Sequence, residues 1–96
     1  MFINVMYFEV DDVDIIYIPN SIYDNIEGYA QQFCNWLASD EPTPEYYVTI
    51  NGRTVPALET DGFVAWLNKY ICLGDDKAYI AEQHTSLREQ YQTIYF

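Results

Sequence analysis

Near the start of the chain, six consecutive positions carry four carboxylates: Glu9, Asp11, Asp12 and Asp14. Hard cations such as Ca²⁺ and Mg²⁺ prefer oxygen ligands of this kind, so the cluster is a natural candidate for a metal site. An EF-hand loop, however, also requires Gly at its sixth position and Glu at its twelfth. Counting from Asp12, these positions hold Tyr17 and Tyr23. The spacing therefore predicts no dedicated metal site.

Nucleophilic catalysis needs a base that can take the proton of the nucleophile. His84 is the one histidine of the chain, and Cys34 and Cys72 are its two cysteines. Their separation matches no common zinc-ligand spacing. The four glycines stand singly, so no loop has the composition of a phosphate-binding loop. We expect no catalytic residue, no cofactor and no metal ligand, and we expect His84 to pack on a helix face.

The first two predicted elements form a β-hairpin that carries the acidic cluster at its tip. Residues 2–10 and 13–18 are rich in Phe, Ile, Val and Tyr, and Asp11-Asp12 separates them. A two-residue turn at that point would set Glu9 opposite Asp14. Like charges in that arrangement are destabilising, so the alternatives are a different register, a wider loop or a cationic group at that place.

A helix and a second hairpin follow. From Ser21 to Leu37, apolar residues recur at helical spacing, and residues 39–45 form a Pro-rich acidic loop. Asn51-Gly52 lies between β-branched residues, which is the strongest short signal for a hairpin turn. Pairing across this turn sets Thr49 opposite Thr54.

Two more helices are predicted in the C-terminal third. Thr60 and Asp61 offer caps for a largely apolar helix that Gly74 ends. The third helix runs from Lys77 to about Tyr91, with one face made of Ile80, Gln83, His84, Leu87 and Tyr91. Residues 92–96 fit either an extension of that helix or a short last strand. The prediction is one α+β domain over residues 1–96, with the order ββα-ββα-α and a mostly antiparallel sheet of two hairpins covered by helices.

The charge balance limits the partners that the chain can have. Its 96 residues carry fifteen acids and four bases, which gives a formal net charge of −11. Such a charge repels nucleic acid and anionic membranes and attracts basic surfaces. We therefore expect no direct binding of nucleic acid and no binding to membranes. Two cysteines are few for a secreted scaffold of this size, which favours a reduced, cytoplasmic setting.

The predicted element order gathers acids at one pole of the domain. The tip of the first hairpin, the loop at 39–45 and the start of the second helix all lie at the same end. Nine of the fifteen acids belong to these segments: Glu9, Asp11, Asp12, Asp14, Asp40, Glu41, Glu45, Glu59 and Asp61. We predict that this pole binds a partner, together with Tyr46 and Tyr47, because tyrosine gives a large contact area at low entropic cost.

These observations favour a non-enzymatic binding protein. Inhibitors that mimic nucleic acid, which phages and mobile elements direct against restriction or CRISPR nucleases, are similar in size and charge, although no motif is shared. The leading expectation is thus a DNA-mimic or anti-CRISPR type inhibitor of a basic nuclease. An adaptor, an antitoxin or an assembly subunit is the alternative, acting through the same face or through a homodimer of its Tyr-rich sheet.

Overall fold

The computed structural model describes residues 1–7, 9–39, 46–56 and 58–96, without the side chain of Pro56. The elements are β1 (Phe2–Met6), β2 (Val13–Tyr17), α1 (Asn20–Tyr23), α2 (Ile26–Leu37), β3 (Tyr47–Ile50), β4 (Arg53–Pro56), α3 (Thr60–Trp66), a π-helical turn (Leu67–Ile71), β5 (Tyr79–Thr85) and β6 (Gln92–Tyr95). The content is therefore mixed α+β, as predicted.

The main sheet has four strands in the order β5-β2-β1-β6. The first hairpin is confirmed, because β1 pairs antiparallel with β2, and β2 in turn pairs antiparallel with β5. The strand β6 runs parallel to β1, so the sheet is mixed. Asp14 lies opposite Val5, not opposite Glu9. The connection is thus wider than the two-residue turn, which keeps the like charges from facing each other.

The second hairpin is also confirmed, with Thr49 paired to Thr54 as predicted. Asn51 has φ 51° and Gly52 has φ 77°, which a tight turn of this kind requires. This hairpin forms a separate two-stranded sheet, however, and does not extend the main one. The prediction of a single sheet built from two hairpins is therefore wrong.

The predicted first helix is divided at Asp24-Asn25. Asn25 has φ −116° and ψ 23°, outside the helical range, and its carbonyl accepts a hydrogen bond from the N–H of Tyr29 at 3.0 Å. This backbone bond begins α2, and Asn is a favoured residue at the position before a helix, although its side chain makes no cap hydrogen bond here. The buried residues Ile26 and Phe33 of α2 confirm the predicted apolar face.

The prediction of a third helix from Lys77 to about Tyr91 is wrong. Residues 77–91 contain the edge strand β5 instead, in which Tyr79 pairs with Tyr17 and Ile80 with Ile16. The apolar spacing of this segment fits a helix by coincidence, while its pairing with the central strand β2 decides the structure. The order is consequently ββαα-ββα-ββ. The alternative of a short C-terminal strand is confirmed by β6.

The core lies between one face of the main sheet and the helices. Ile3 and Val5 of β1 point into it, together with Ile16 of β2. From the helices, Phe33 and Phe63 meet with their ring centroids 5.4 Å apart. Because side chains alternate along a strand, the residues between these positions lie on the opposite face of the sheet.

On that opposite face, Asn4 is fully buried and holds the connection between β5 and β6. Its side-chain amide donates to the carbonyls of Arg88 and Tyr91 and to the hydroxyl of Thr93, at 2.8, 3.2 and 3.2 Å. Its side-chain oxygen accepts from the N–H of Arg88 at 3.0 Å. One amide thus satisfies backbone groups of the connection that crosses this face.

We expect Asn4→Leu to lower the free energy of unfolding by about 2–4 kcal/mol, because it leaves several of these backbone groups without a partner. Asn35→Leu is the matched control, since Asn35 is an exposed helical residue whose amide oxygen accepts one bond from Gln31. The control should stay within about 0.5 kcal/mol of the unaltered protein. Urea unfolding measures both, and equal midpoints would contradict the role given to Asn4.

Candidate functional site

A cleft of about 390 Å³ opens where the first hairpin, the strand β5 and the start of α3 meet. Tyr7 and Asp14 come from the first hairpin, residues 58–61 from the start of α3, and residues 83–84 from β5. Tyr7 directly follows β1 and keeps the inward direction of Ile3 and Val5, because side chains alternate along a strand. The cleft therefore joins segments that are far apart in the sequence.

The inner wall of the cleft is a chain of hydrogen bonds. Asp14 is only 9% exposed, and its Oδ2 accepts a hydrogen bond from the Thr60 hydroxyl at 2.5 Å. The Tyr7 and Thr60 hydroxyls are 2.8 Å apart. Because the single hydroxyl proton of Thr60 goes to Asp14, the Tyr7 hydroxyl must donate to the Thr60 oxygen. Thr60 and Asp61 were predicted as helix caps, but neither makes a cap hydrogen bond at the start of α3.

The second oxygen of Asp14 binds an irregular part of β5. Its Oδ1 accepts from the backbone N–H of His84 at 3.2 Å. The register between β2 and β5 shifts at this point, and His84 has φ 53°. A bulge leaves backbone groups out of the ladder. The Asp14 carboxylate supplies the acceptor that the neighbouring strand does not.

His84 forms an exposed ion pair with Asp12. Its ring Nδ1 lies 2.7 Å from the Asp12 Oδ1, and 80% of the His84 side chain is accessible. The hydrogen bond that the His84 ring donates to Asp12, the negative charge of Asp12 and that of Asp14 raise the pKa of His84 above its ordinary value. The prediction that His84 packs on a helix face is therefore wrong, because this residue lies on an edge strand and points into solvent.

Negative charge gathers around Tyr7. Glu59 and Asp61 are exposed at the rim of the cleft, while Asp14 lies inside it. Burial, and then the charges of these three carboxylates, raise the pKa of Tyr7 to about 12. The Tyr7 hydroxyl therefore keeps its proton at any physiological pH and acts as a donor. No lysine or arginine lines this cleft among the residues that the structure describes.

The structure brings part of the predicted acidic pole together. The cleft is lined by Asp14, Glu59 and Asp61. Asp12 forms the ion pair with His84, which also lines the cleft. The exposed residues Glu9 and Asp11 lie on the same loop as Asp12, whose N–H donates to the Glu9 carbonyl at 3.2 Å. The remaining predicted acids, Asp40, Glu41 and Glu45, lie outside the described residues.

The two tyrosines predicted to bind a partner are not equivalent. Tyr46 is buried, and its ring meets Trp36 edge to face with centroids 4.8 Å apart. Tyr47 begins β3 and is half-buried. Tyr46 therefore belongs to the core and offers little exposed surface to the partner that it was predicted to bind.

The sequence did not predict the roles of three residues that line the cleft: Tyr7, Thr60 and His84. The alternation Ile3, Val5, Tyr7 was a usable signal for the inward direction of Tyr7. No local pattern indicated the bond between Thr60 and Asp14, because 46 positions separate them.

Among the described residues, no group of three or more histidine, cysteine or acidic side chains is arranged to hold a metal ion. In this part of the chain, no helix has both the length and the apolar character needed to cross a membrane. Comparisons with protein-family models, curated protein sequences and solved structures found no match to the chain.

We expect Thr60→Val to lower the free energy of unfolding by about 1–3 kcal/mol, because it removes a donor from the buried Asp14 and an acceptor from Tyr7. Valine keeps the shape of threonine, so packing changes little. Thr54→Val on the exposed strand β4 is the control and should change stability by less than about 0.5 kcal/mol. An unchanged urea midpoint for Thr60→Val would show that the hydroxyl does not link the elements.

The ion pair predicts a pH dependence that NMR can follow at the single histidine. Because Asp12 raises the pKa of His84 in the folded protein, the pair is complete below the ordinary value of 6.5 and is lost as the pH rises through the folded value. The His84 midpoint should lie above 6.5 and fall toward it in Asp12→Asn. Asp11→Asn, a neighbouring charge change, should leave it nearly unaltered. Equal midpoints in the two variants would argue against the pair.

Proposed function

We propose that this chain is a non-enzymatic binding protein that docks its acidic cleft on a basic protein surface. The observation that carries the proposal is that Asp14, Glu59 and Asp61 line the cleft that also holds Tyr7, beside the loop that holds Asp11 and Asp12. Carboxylates around one cleft repel one another, and a cationic partner relieves that repulsion. The cleft thus has an electrostatic reason to attract Lys or Arg side chains.

The compensation of charge within the chain is small. The ion pairs of the described residues are His84 with Asp12 and Arg88 with Glu82. Lys77 donates to the carbonyl of Cys72, and Lys69 lies over the ring of Tyr70. With fifteen acids against four bases, the chain has too few cations to pair with most of its carboxylates. That surplus supports steering toward a positively charged groove.

The hydrogen bonds of the cleft favour binding over catalysis. Thr60 is buried, and its hydroxyl both donates and accepts in the chain from Tyr7 to Asp14. A nucleophile must be reachable and must have a base ready to take its proton. Asp14 is the group that accepts the Thr60 proton, but Thr60 is only 3% exposed, so its hydroxyl oxygen is out of reach of a substrate. The arrangement fits a fixed scaffold better than a reacting centre.

The partner class proposed here is a basic nucleic-acid-binding protein such as a nuclease. Rigid carboxylates can bind the Lys and Arg side chains of a partner that otherwise hold phosphates, as the carboxylates of a DNA mimic or anti-CRISPR inhibitor do. An adaptor, antitoxin or assembly role would use the same electrostatics with another basic partner. The cytoplasmic setting that the two cysteines favour stays a prediction.

The electrostatic part is tested with an octalysine peptide as a surrogate for a basic groove. The triple variant Asp11→Asn, Glu59→Gln, Asp61→Asn neutralises exposed acids at or beside the cleft and leaves the structural Asp14 in place. We expect its association rate to fall several-fold more than that of the control Asp24→Asn, Glu27→Gln, Glu89→Gln. The control removes the same charge elsewhere. Steering by exposed charges acts mainly on the association rate.

The same measurement by stopped-flow fluorescence should show weaker binding as the salt concentration rises. At 0.1–0.15 M ionic strength, exposed charges separated by more than about 8–10 Å are largely screened from one another. A short DNA duplex should compete with the protein for the peptide. If the two triple variants behave alike, the cleft has no special role and the acids serve only as a charged surface. If binding is insensitive to salt, the electrostatic proposal is wrong.

A further inference from the structure

Four aromatic rings form a strip across one end of the main sheet, on the face opposite the helices: Tyr91, Phe2, Tyr17 and Tyr79. The rings of Tyr17 and Tyr79 stack with centroids 5.0 Å apart and an interplanar angle of 14°. Phe2 meets Tyr17 at 5.7 Å and Tyr91 at 6.0 Å. We call these four residues the aromatic strip.

The register of the sheet explains the strip. Phe2 pairs with Tyr17 across β1 and β2, and Tyr17 pairs with Tyr79 across β2 and β5. Their neighbours Ile3 and Ile16 point into the core, so these three rings point outward. Phe2 is 38% exposed and Tyr79 is 52% exposed. Ring faces of the strip are thus open to a partner.

An acid lies at the strip. The Tyr17 hydroxyl donates to both oxygens of the exposed Asp76, at 3.0 and 3.2 Å. This hydrogen bond is the main cause that raises the pKa of Tyr17. The Asp76 carboxylate keeps lone pairs on its open side, because a carboxylate offers about four acceptor positions. The strip therefore combines aromatic faces with an acceptor that can bind two N–H groups.

Arginine is the side chain that matches this combination. Its planar guanidinium stacks on aromatic faces and binds carboxylates through two parallel hydrogen bonds, whereas the strongly hydrated ammonium of lysine does neither as well. A sheet that exposes aromatic rings can also stack nucleic-acid bases. In this chain the net charge of −11 and the carboxylate of Asp76 disfavour phosphates. The charge complementarity of the strip is with a basic polypeptide.

We propose that the aromatic strip is a docking surface for arginine side chains of a basic protein partner, which stack on Tyr79 and Tyr17 and bind Asp76. This inference rests on the proposed function in that it takes the partner to be basic, but it uses another face of the molecule. The acidic cleft attracts any cation, and the strip distinguishes arginine from lysine.

The experiment compares octaarginine and octalysine peptides in titrations against the full chain at one ionic strength. The unaltered protein should bind octaarginine more tightly. Tyr79→Leu should reduce the octaarginine affinity by about two- to five-fold, the range expected for an exposed cation–π contact. It should leave octalysine binding nearly unchanged. The control is Tyr95→Leu, because Tyr95 is 68% exposed on β6 and makes none of the ring contacts described.

Asp76→Asn provides a second variant that keeps the rings in place. It should weaken octaarginine binding more than Asp75→Asn, which changes the same charge one position earlier. Circular dichroism and urea midpoints of the four variants show whether each is folded. NMR shifts on adding octaarginine should be largest at Tyr17 and Tyr79.

The outcomes separate the two proposals. If both peptides bind with strong salt dependence but equal affinity, and Tyr79→Leu matches Tyr95→Leu, the strip inference is wrong, while the acidic-cleft proposal is still decided by the comparison of its two triple variants. If neither peptide binds, the proposed function fails. Binding of a single-stranded oligonucleotide that Tyr79→Leu abolishes would overturn the choice of a polypeptide. A dimer in sedimentation that Tyr79→Leu dissociates would show that a second copy occupies the strip.

Discussion

The buried carboxylate of Asp14 is the interaction on which the arrangement of this domain most depends. It binds the Thr60 hydroxyl at the start of α3 and the backbone N–H of His84 in the irregular part of β5. Taking a carboxylate out of water is costly unless donors compensate, and an unfilled donor in the same place would be costly as well. One side chain therefore fixes a helix and an edge strand to the centre of the sheet. The same contacts shape the cleft.

A second buried polar group, Asn4, likewise holds neighbouring segments to the sheet, on its other face. It lies on β1, next to the strand that carries Asp14, and binds the middle and the last residue of the connection between β5 and β6, at Arg88 and Tyr91. Strands that run in the same direction, as β5 and β6 do, usually need a connection of a dozen or more residues that contains a helix. Here residues 86–91 make the connection without a helix. Asn4 satisfies backbone groups of this connection that a helix would otherwise satisfy internally. Two polar side chains thus tie the C-terminal third to the first hairpin.

The parts of the fold that could be predicted are those that local chemistry decides. Both hairpins and the turn at Asn51-Gly52 follow from strand-forming runs and from positive φ angles. The strand β5 could not be predicted in this way, because its apolar spacing also fits a helix and only its pairing with β2 resolves the choice. The cleft depends on contacts such as the one between Thr60 and Asp14, which no short pattern encodes. Of the acids predicted to share one pole, Asp14, Glu59 and Asp61 line the cleft, while Asp40, Glu41 and Glu45 lie outside the described residues, so the pole as a whole stays a prediction.

The acidic cleft and the aromatic strip would contribute differently to one encounter. Charge acts over several ångströms and raises the rate at which a basic partner arrives, with little discrimination among cations. Stacked rings act only in contact, where they lower the dissociation rate of the side chain that fits them. Asp12 is paired with the ring of His84 beside the cleft, whereas Asp14 and Asp76 accept hydrogen bonds from neutral donors. None of the ion pairs among the described residues includes Asp76, so an incoming guanidinium meets no competing cation there, although Asp76 stands apart from the main acidic loops.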